Sequence, residues 1–396
     1  MSMVFKVNLY SLLISITSAA ELTELAVADH SQRVAYITLN IGQAIGMPEK
    51  DLQKLVMGAL LHDIGISSSR EKLKLADLNV DGKSIVAHCQ RGAELLKRSR
   101  LLAEYAPIVY EHHSAWTEQP DIYSPIIHLS DRTEIVIDKN KYILWQHYDI
   151  LRRIERYSGR IFDPELVDVL RHLTSKPSFW LDLATDRYKK VIAEFTSDQV
   201  TFLTFDELES IAFIYAEIID DKSPFTFTHS RGVCEMALAI GAKAGFSDDE
   251  LRLLKIAALL HDLGKLAIPD EILDYPDQLT HEQMLYMQQH TYHTYHLLDS
   301  LGPEARQIRN WAAFHHEKLD GSGYPFGLNH TQLDTGARIM AVADISQALQ
   351  ENRPYRKKLP QETINRILMS LVRDGKIDED LTHLAIEIMT QKLTIE

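Results

Sequence analysis

Five histidines and two aspartates in the second half of the chain, His229, His261, Asp262, His290, His315, His316 and Asp344, are side chains that ligate first-row metals. Any one of them says little, because a His-Asp pair at a helix end is more often a cap or ordinary surface polarity. Together they say more: imidazole plus carboxylate suits Fe, Mn, Zn or Ni, and this many donors exceed what one ion takes. A carboxylate can bridge two ions, and Asp262 is the best candidate for that role. Two ions about 3.5–4 Å apart activate a water and neutralise phosphoryl oxygens, so the chemistry indicated is hydrolysis of a phosphodiester. Lys265 follows Asp262 by three residues and would share its face on a helix. There it would meet a phosphate as a point charge; a solvated lysine is the bland alternative, disfavoured so close to the His-Asp pair. Adjacent residues diverge on a helix, so His315 and His316 are not expected to chelate one ion from a single helical face.

The tandem histidines open the run His315-His316-Glu317-Lys318-Leu319-Asp320-Gly321-Ser322-Gly323-Tyr324-Pro325. Gly321 and Gly323 allow backbone angles that other residues avoid, and Pro325 fixes φ. The run reads as ligands at a helix end followed by a tight, ordered loop, with Tyr324 either packing the loop or facing a base. The same landmarks occur upstream: His30, His62-Asp63, His88, His112-His113 and Asp131. His30 and His62 stand 32 residues apart, as do His229 and His261. This order, present twice, is that of a duplicated domain and offers a second metal site. The first copy departs in two places. Ile66 stands where Lys265 would, and Ser114-Ala115-Trp116 replaces the Gly-Tyr-Pro loop. From the tandem pair to the last aspartate the first copy has 18 residues and the second 28, a difference about the size of that loop.

These residues must be positioned by helices. Apolar residues recur at helical spacing over Val34–Ile45, Leu52–Leu61, Val233–Ala244 and Leu251–Leu260. Pro48 and Ser247 mark helix starts, and Gly46 and Gly245 mark helix ends. Further helical stretches run around Leu166–Leu173 and Asp186–Phe195. No long alternating run predicts a substantial sheet. The expected fold is all-α, two tandem helical domains at 1–185 and 186–396. At the N-terminus, Lys6, the apolar-leaning run from Leu9 to Ile16 and the small residues Ser18 to Ala20 are weakly like a signal peptide. Ser11 and Ser15 interrupt that run, which is too short to span a bilayer; a first helix continuing to Val27 is expected instead.

A chain of 396 residues with 45% apolar and 25% charged residues is a globular, two-domain composition. The formal net charge of −14 argues against polymeric nucleic acid or an anionic membrane as partner, though not against a small anionic substrate held by a metal. With only Cys89 and Cys234, no disulfide framework is implied, and a cytoplasmic location is expected.

From about Thr228 to Arg356 the chain resembles the HD-GYP family of HD phosphohydrolases. The resemblance rests on His261-Asp262-Leu263-Gly264-Lys265, the His290 segment, the long run through Gly321, Gly323, Tyr324 and Pro325, Val342-Ala343-Asp344 and Arg353-Pro354-Tyr355-Arg356. It implies an all-α HD fold, a binuclear or trinuclear centre on the seven ligands named above, and hydrolysis of a cyclic dinucleotide. Cyclic di-GMP is the usual substrate and 3′,3′-cyclic GMP-AMP the alternative; linear nucleotides and ppGpp-like substrates fit less well. The product would be a linear dinucleotide, with further cleavage to mononucleotides open. Asp262 and Lys265 would be catalytic, and Lys265, Lys318, Gly321, Tyr324 and Arg353 substrate contacts. The chain departs from the family pattern at Phe225, where some members carry a third-metal Glu, so two ions, Fe or Mn, are expected. It departs again at Thr291 to Thr294, where His-Pro-x-x-Gly is usual, and at Arg231-Gly232, which shifts an arginine. His293 and His296 read as ordinary helix-face residues. The degenerate first copy suggests a regulatory or structural domain, and it keeps open a different class of function, a non-catalytic nucleotide receptor or adaptor. A homo-oligomer or a signalling protein would be its partner.

Overall fold

The computed structural model describes residues 4–21, 29–66, 71, 82–118, 121–197, 199–222, 227–352 and 357–393. The chain divides into two compact units, Asn8–Thr201 and Phe202–Glu396 together with Met1–Val7. Both are helical, as the apolar periodicity predicts.

The first unit contains α1 (Leu9–Glu21), α2 (His30–Ala44), α3 (Glu49–Leu61), α4 (Gly82–Leu96), α5 (Ala106–Glu111), α6 (Ser124–Ile135), α7 (Ile143–Glu155), α8 (Pro164–Thr174), α9 (Pro177–Ala184) and α10 (Arg187–Phe195). Val34, Ile37 and Ile41 lie on one stripe of α2 and are fully buried, as are Leu55 and Leu60 of α3 and Ile127 of α6. The expected division at 185–186 would place α10 in the second domain. Packing places it in the first: Tyr188 and Ile192 are fully buried, and the Tyr188 hydroxyl donates to Asp29 at 3.0 Å.

The second unit contains α11 (Phe205–Lys222), α12 (Phe227–Lys243), α13 (Asp248–Leu260), α14 (Asp270–Leu273), α15 (His281–Met287), α16 (Gln289–Leu298), α17 (Arg306–Ala313), α18 (Thr335–Gln350), α19 (Gln361–Arg373) and α20 (Glu379–Leu393). Val233, Met236, Ala237 and Ile240 form the buried stripe of α12, which packs on α13 and α18. The start of α13 is fixed by a capping box: the Ser247 hydroxyl accepts from the Glu250 amide and the Glu250 carboxylate accepts from the Ser247 amide. Helices α2 and α12 end just before Gly46 and Gly245, which take φ of 74° and 86°.

A small sheet was not expected. β1 (Val4–Asn8) pairs with β2 (Val200–Thr204). Phe5 and Val7 alternate inward, and Phe5 meets Phe205 edge-on at 5.2 Å. Five residues of alternation are too few to stand out in a sequence, and pairing with a segment nearly 200 residues away is invisible there. Helix α1 ends at Glu21, and residues 22–28, over which the sequence continued it, lie outside the described residues. Among the described residues no helix is long and apolar enough to cross a membrane.

Candidate metal centre

Four helices of the second unit deliver the predicted ligands to one place. His229 is in the first turn of α12, His261 caps the C-terminus of α13 and Asp262 follows it. His290 opens α16, and Asp344 sits midway along α18. Helix α17 ends at Ala313, so His315 and His316 lie in the turn beyond it. The tandem pair therefore does not sit on a helical face. Outside a helix, adjacent side chains are not forced apart, and ligand atoms of His290, His315 and His316 lie within 4.8 Å of one another. His229, His261 and Asp344 make a second such group, and His261, Asp262 and His315 a third.

Asp262 links the groups. Its Oδ2 is 3.3 Å from His261 Nε2 and 3.9 Å from His229 Nε2, while its Oδ1 is 3.6 Å from His290 Nε2. Asp344 Oδ1 lies 3.1 Å from His229 Nε2 and its Oδ2 lies 3.8 Å from His316 Nδ1.

The tautomers fit a cation. His261, His290 and His315 each place Nδ1 2.7–2.8 Å from a backbone carbonyl, of Ala258, Met287 and Ala312 respectively. A carbonyl only accepts, so Nδ1 carries the proton and the Nε2 lone pair is left to face inward. His290 Nε2 and His315 Nε2 then confront each other at 3.2 Å, and His261 Nε2 is buried without a hydrogen bond. Protonation does not resolve the confrontation. Burial, with His316 beside them, pushes His290 down to about 3 and His315 well below its ordinary value. Burial would raise the Asp262 carboxyl, but His261 and Lys265 outweigh it and hold it well below the carboxylate range. Convergent imidazole lone pairs among ionised carboxylates are the donor set of a divalent transition metal.

Lys265 lies in a 3-10 turn, Leu263–Ala267, where positions three apart eclipse. Its Nζ is 2.6 Å from Asp262 Oδ2 and its side chain is mostly buried, so it is not a solvated lysine. The same turn explains two residues whose role the sequence did not reveal. A Cβ on Gly264 would sit 1.9 Å from the His290 carbonyl, so only glycine lets α16 approach this closely. Thr294, at a departure from the family pattern, accepts from the Gly264 amide at 2.9 Å and donates to the His261 carbonyl at 3.1 Å.

Glu351 was also missed. It pairs with His229 Nδ1 at 3.0 Å and accepts from Gln347 Nε2 at 2.6 Å. Against the opposing effect of burial, Asp344 and Glu351 raise His229 to about 9. No spacing in the sequence marks it: Glu351 follows Asp344 by seven residues, at the C-cap just past the end of α18.

Beyond His316 the loop is held by Glu317, whose buried carboxylate accepts from the amides of Phe326 at 2.7 Å and Leu328 at 2.9 Å. Gly323 lies against the Glu317 backbone, where a Cβ would come within 2.4 Å of the Lys318 amide nitrogen. Gly321 takes φ of 81°, and the Tyr324 ring rests 4.9 Å from that of His316. Lys318 lies in the same loop, and its amide nitrogen packs against Gly323. Arg353 and Phe225 lie outside the described residues. His293 and His296 sit on α16 and join none of the ligand groups.

The first unit repeats this construction. Asp63 Oδ2 faces His30 at 3.6 Å and His62 at 3.4 Å, and Oδ1 faces His88 at 3.7 Å and His112 at 3.9 Å. Ligand atoms of Asp63, His88, His112 and His113 fall within 4.8 Å of one another, as do those of His30, His62 and Asp63. Glu134 pairs with His30 Nδ1 at 2.6 Å, as Glu351 does with His229. Gly92, not a threonine, packs against Gly65.

This is the architecture of HD domains. Models described as HD domain match residues 214–381 and 27–135. The 3′3′-cGAMP-specific phosphodiesterase 1 of Vibrio cholerae serotype O1 is 30% identical over 395 residues, covering 95% of this chain and 91% of that protein. A solved Vibrio cholerae structure, described as a cyclic GMP-AMP-specific phosphodiesterase, superposes with a TM-score of 0.67 at 25% identity over 98% of both chains. A cyclic di-GMP phosphodiesterase of Pseudomonas aeruginosa is 35% identical over 133 residues, 34% of this chain and 32% of that one. The chain belongs to the HD-GYP family, with two HD domains in tandem.

Proposed function

We propose that the chain is a metal-dependent phosphodiesterase whose second unit hydrolyses a cyclic dinucleotide, 3′,3′-cyclic GMP-AMP ahead of cyclic di-GMP. The observation that carries this is Asp262, which turns one oxygen to each of two imidazole sets and is covered by Lys265. The substrate order follows likeness along the whole chain: the relative matched over 95% of it is named for cGAMP, while the cyclic di-GMP relative is matched over 34%.

Two divalent ions, iron or manganese, would be held by His229, His261, Asp262, His290, His315, His316 and Asp344, supplying Lewis acidity and an activated water. The protein's own residues do the rest. The carbonyls of Ala258, Met287 and Ala312 fix the tautomers of His261, His290 and His315, Glu351 orients His229, and Lys265 brings a fixed cation to the phosphate side of Asp262. Tyr324 borders the centre and offers a ring face to a base, with Lys318, Gly321 and Arg353 as further contacts. The first unit, lacking both the lysine and the Gly-Tyr-Pro loop, is structural or regulatory. The two free cysteines, Cys89 and Cys234, support a reducing compartment, the cytoplasm.

The test is the full chain loaded with Fe(II) or Mn(II) and given both cyclic dinucleotides side by side, with Asp262→Ala as control. Linear dinucleotide should form faster from cyclic GMP-AMP, and the control should be silent. Metal bound with no turnover of either substrate would replace this reading with that of a receptor.

A further inference from the structure

The first unit's ligand cluster differs from the second in what lies over it. Arg132, next to Asp131 on α6, is buried, with Nε 3.2 Å from Asp131 Oδ2 and Nη2 3.1–3.2 Å from both ring nitrogens of His113. One turn earlier on the same helix, the His128 ring stands 5.2 Å from that of His113, edge-on, and is backed by Phe162 at 5.3 Å. At the same offsets from Asp344, the second unit has Ile345 and the small Ala341. The consequence is measurable: the His113 side chain is 4% exposed and its counterpart His316 is 29% exposed.

We propose that the first unit's centre is a closed cation site. Asp63, His88 and His112, whose ligand atoms lie within 4.8 Å of one another, hold one divalent ion there, and Arg132, bound to His113, occupies the face at which a phosphate would arrive. His112 Nδ1 is committed to the Val109 carbonyl at 2.6 Å, so its Nε2 faces His88 Nε2 at 3.3 Å, the same confrontation of lone pairs as in the second unit. Structural metal sites are closed by protein, whereas catalytic sites keep a position for water or substrate. A guanidinium never gives up its proton. Buried here, it neutralises Asp131 permanently, and its charge beside His113 disfavours a second divalent ion. Asp63 is 14% exposed against 2% for Asp262, and Ile66 stands where Lys265 reaches Asp262 in the second unit. The assignment is independent of whether the second unit turns over substrate, since neither its residues nor its readouts involve catalysis.

The experiment uses the full chain carrying His261→Ala and Asp262→Ala, which disable the second centre, loaded with Mn(II) and desalted. About one Mn(II) per chain should remain, and it should be lost when His88→Ala and His112→Ala are added. Millimolar inorganic phosphate should leave the spin-resonance spectrum of the retained Mn(II) unchanged. With Arg132→Gln the spectrum should become phosphate-sensitive, and with Arg132→Lys, which keeps the charge, it should not. No retained Mn(II), or a spectrum that phosphate alters with Arg132 in place, overturns the proposal, and both are read without substituting Arg132. A folded Arg132→Gln chain as indifferent to phosphate as its parent overturns the role given to Arg132.

Discussion

Glu351 Oε2 stands 3.0 Å from His229 Nδ1, and Gln347 Nε2 holds the other carboxylate oxygen at 2.6 Å. The pair fixes the ring of a candidate ligand by its far nitrogen, leaving Nε2 to point at Asp344. Carboxylates in this position orient the imidazole and raise its basicity. Glu351→Gln should therefore weaken metal binding about 10- to 100-fold with little change in fold. Titration of the apo chain with Mn(II) against a competing chelator would measure it; unchanged affinity would remove Glu351 from the site.

Thr294 ties the amide of Gly264 to the carbonyl of His261 through one hydroxyl. Thr294→Val keeps the shape and removes both bonds in a buried place, which should cost about 1–3 kcal/mol of stability. Urea unfolding of the two proteins gives the difference directly. Gly264→Ala is a harsher change, since backbone must move to admit the Cβ, and should abolish metal retention even if the chain folds.

Glu317 staples the loop through two amides nine and eleven residues ahead. Glu317→Ala leaves both amides without their acceptor. Hydrogen bonds to a charged group contribute about 1.5–3 kcal/mol each, so the loop should loosen while the ligand cluster stays whole. The expected signature is faster proteolysis between residues 318 and 330, with KM raised and metal content unchanged. Loss of metal along with the loop would mean the two are not separable.

Lys222 is buried and donates to the carbonyls of Leu266, in the Lys265 turn, and Ile268, just past it, at 2.7 Å each. Burial lowers it from 10.5 to about 8. Between those pH values the folded chain binds fewer protons than the unfolded one, so stability rises with pH there. The cost of the buried charge is complete below about pH 8 and fades as pH climbs through the window. Urea unfolding at pH 7.5 and 9.5 should thus shift in favour of the wild type relative to Lys222→Met. A difference that stays flat with pH would show that the amine is not titrating in the fold.

Much of this was legible in the sequence. Both sets of seven candidate ligands, the repeat, and the helices α2, α3, α12 and α13 follow from residue identity and apolar spacing, which are local properties. The pattern also exposed the missing lysine and loop of the first unit. The partners of the ligands were not legible. Glu134 and Glu351 do the same work at different offsets from their aspartates, three residues and seven, so no fixed spacing marks them. Thr294 looked like a departure from a motif because its hydroxyl has meaning only against Gly264 and His261, some 30 residues earlier.

The sequence by itself determined what kinds of atoms are available and on which helices, because side-chain chemistry and helical periodicity are written residue by residue. Only the tertiary structure decided how they are grouped. Ending α17 at Ala313 lets His315 and His316 join one cluster. His30 and Glu134 meet across 104 residues, and His229 and Glu351 across 122. Arg132 reaches the ring of His113 across 19 residues, a contact that no local pattern marks.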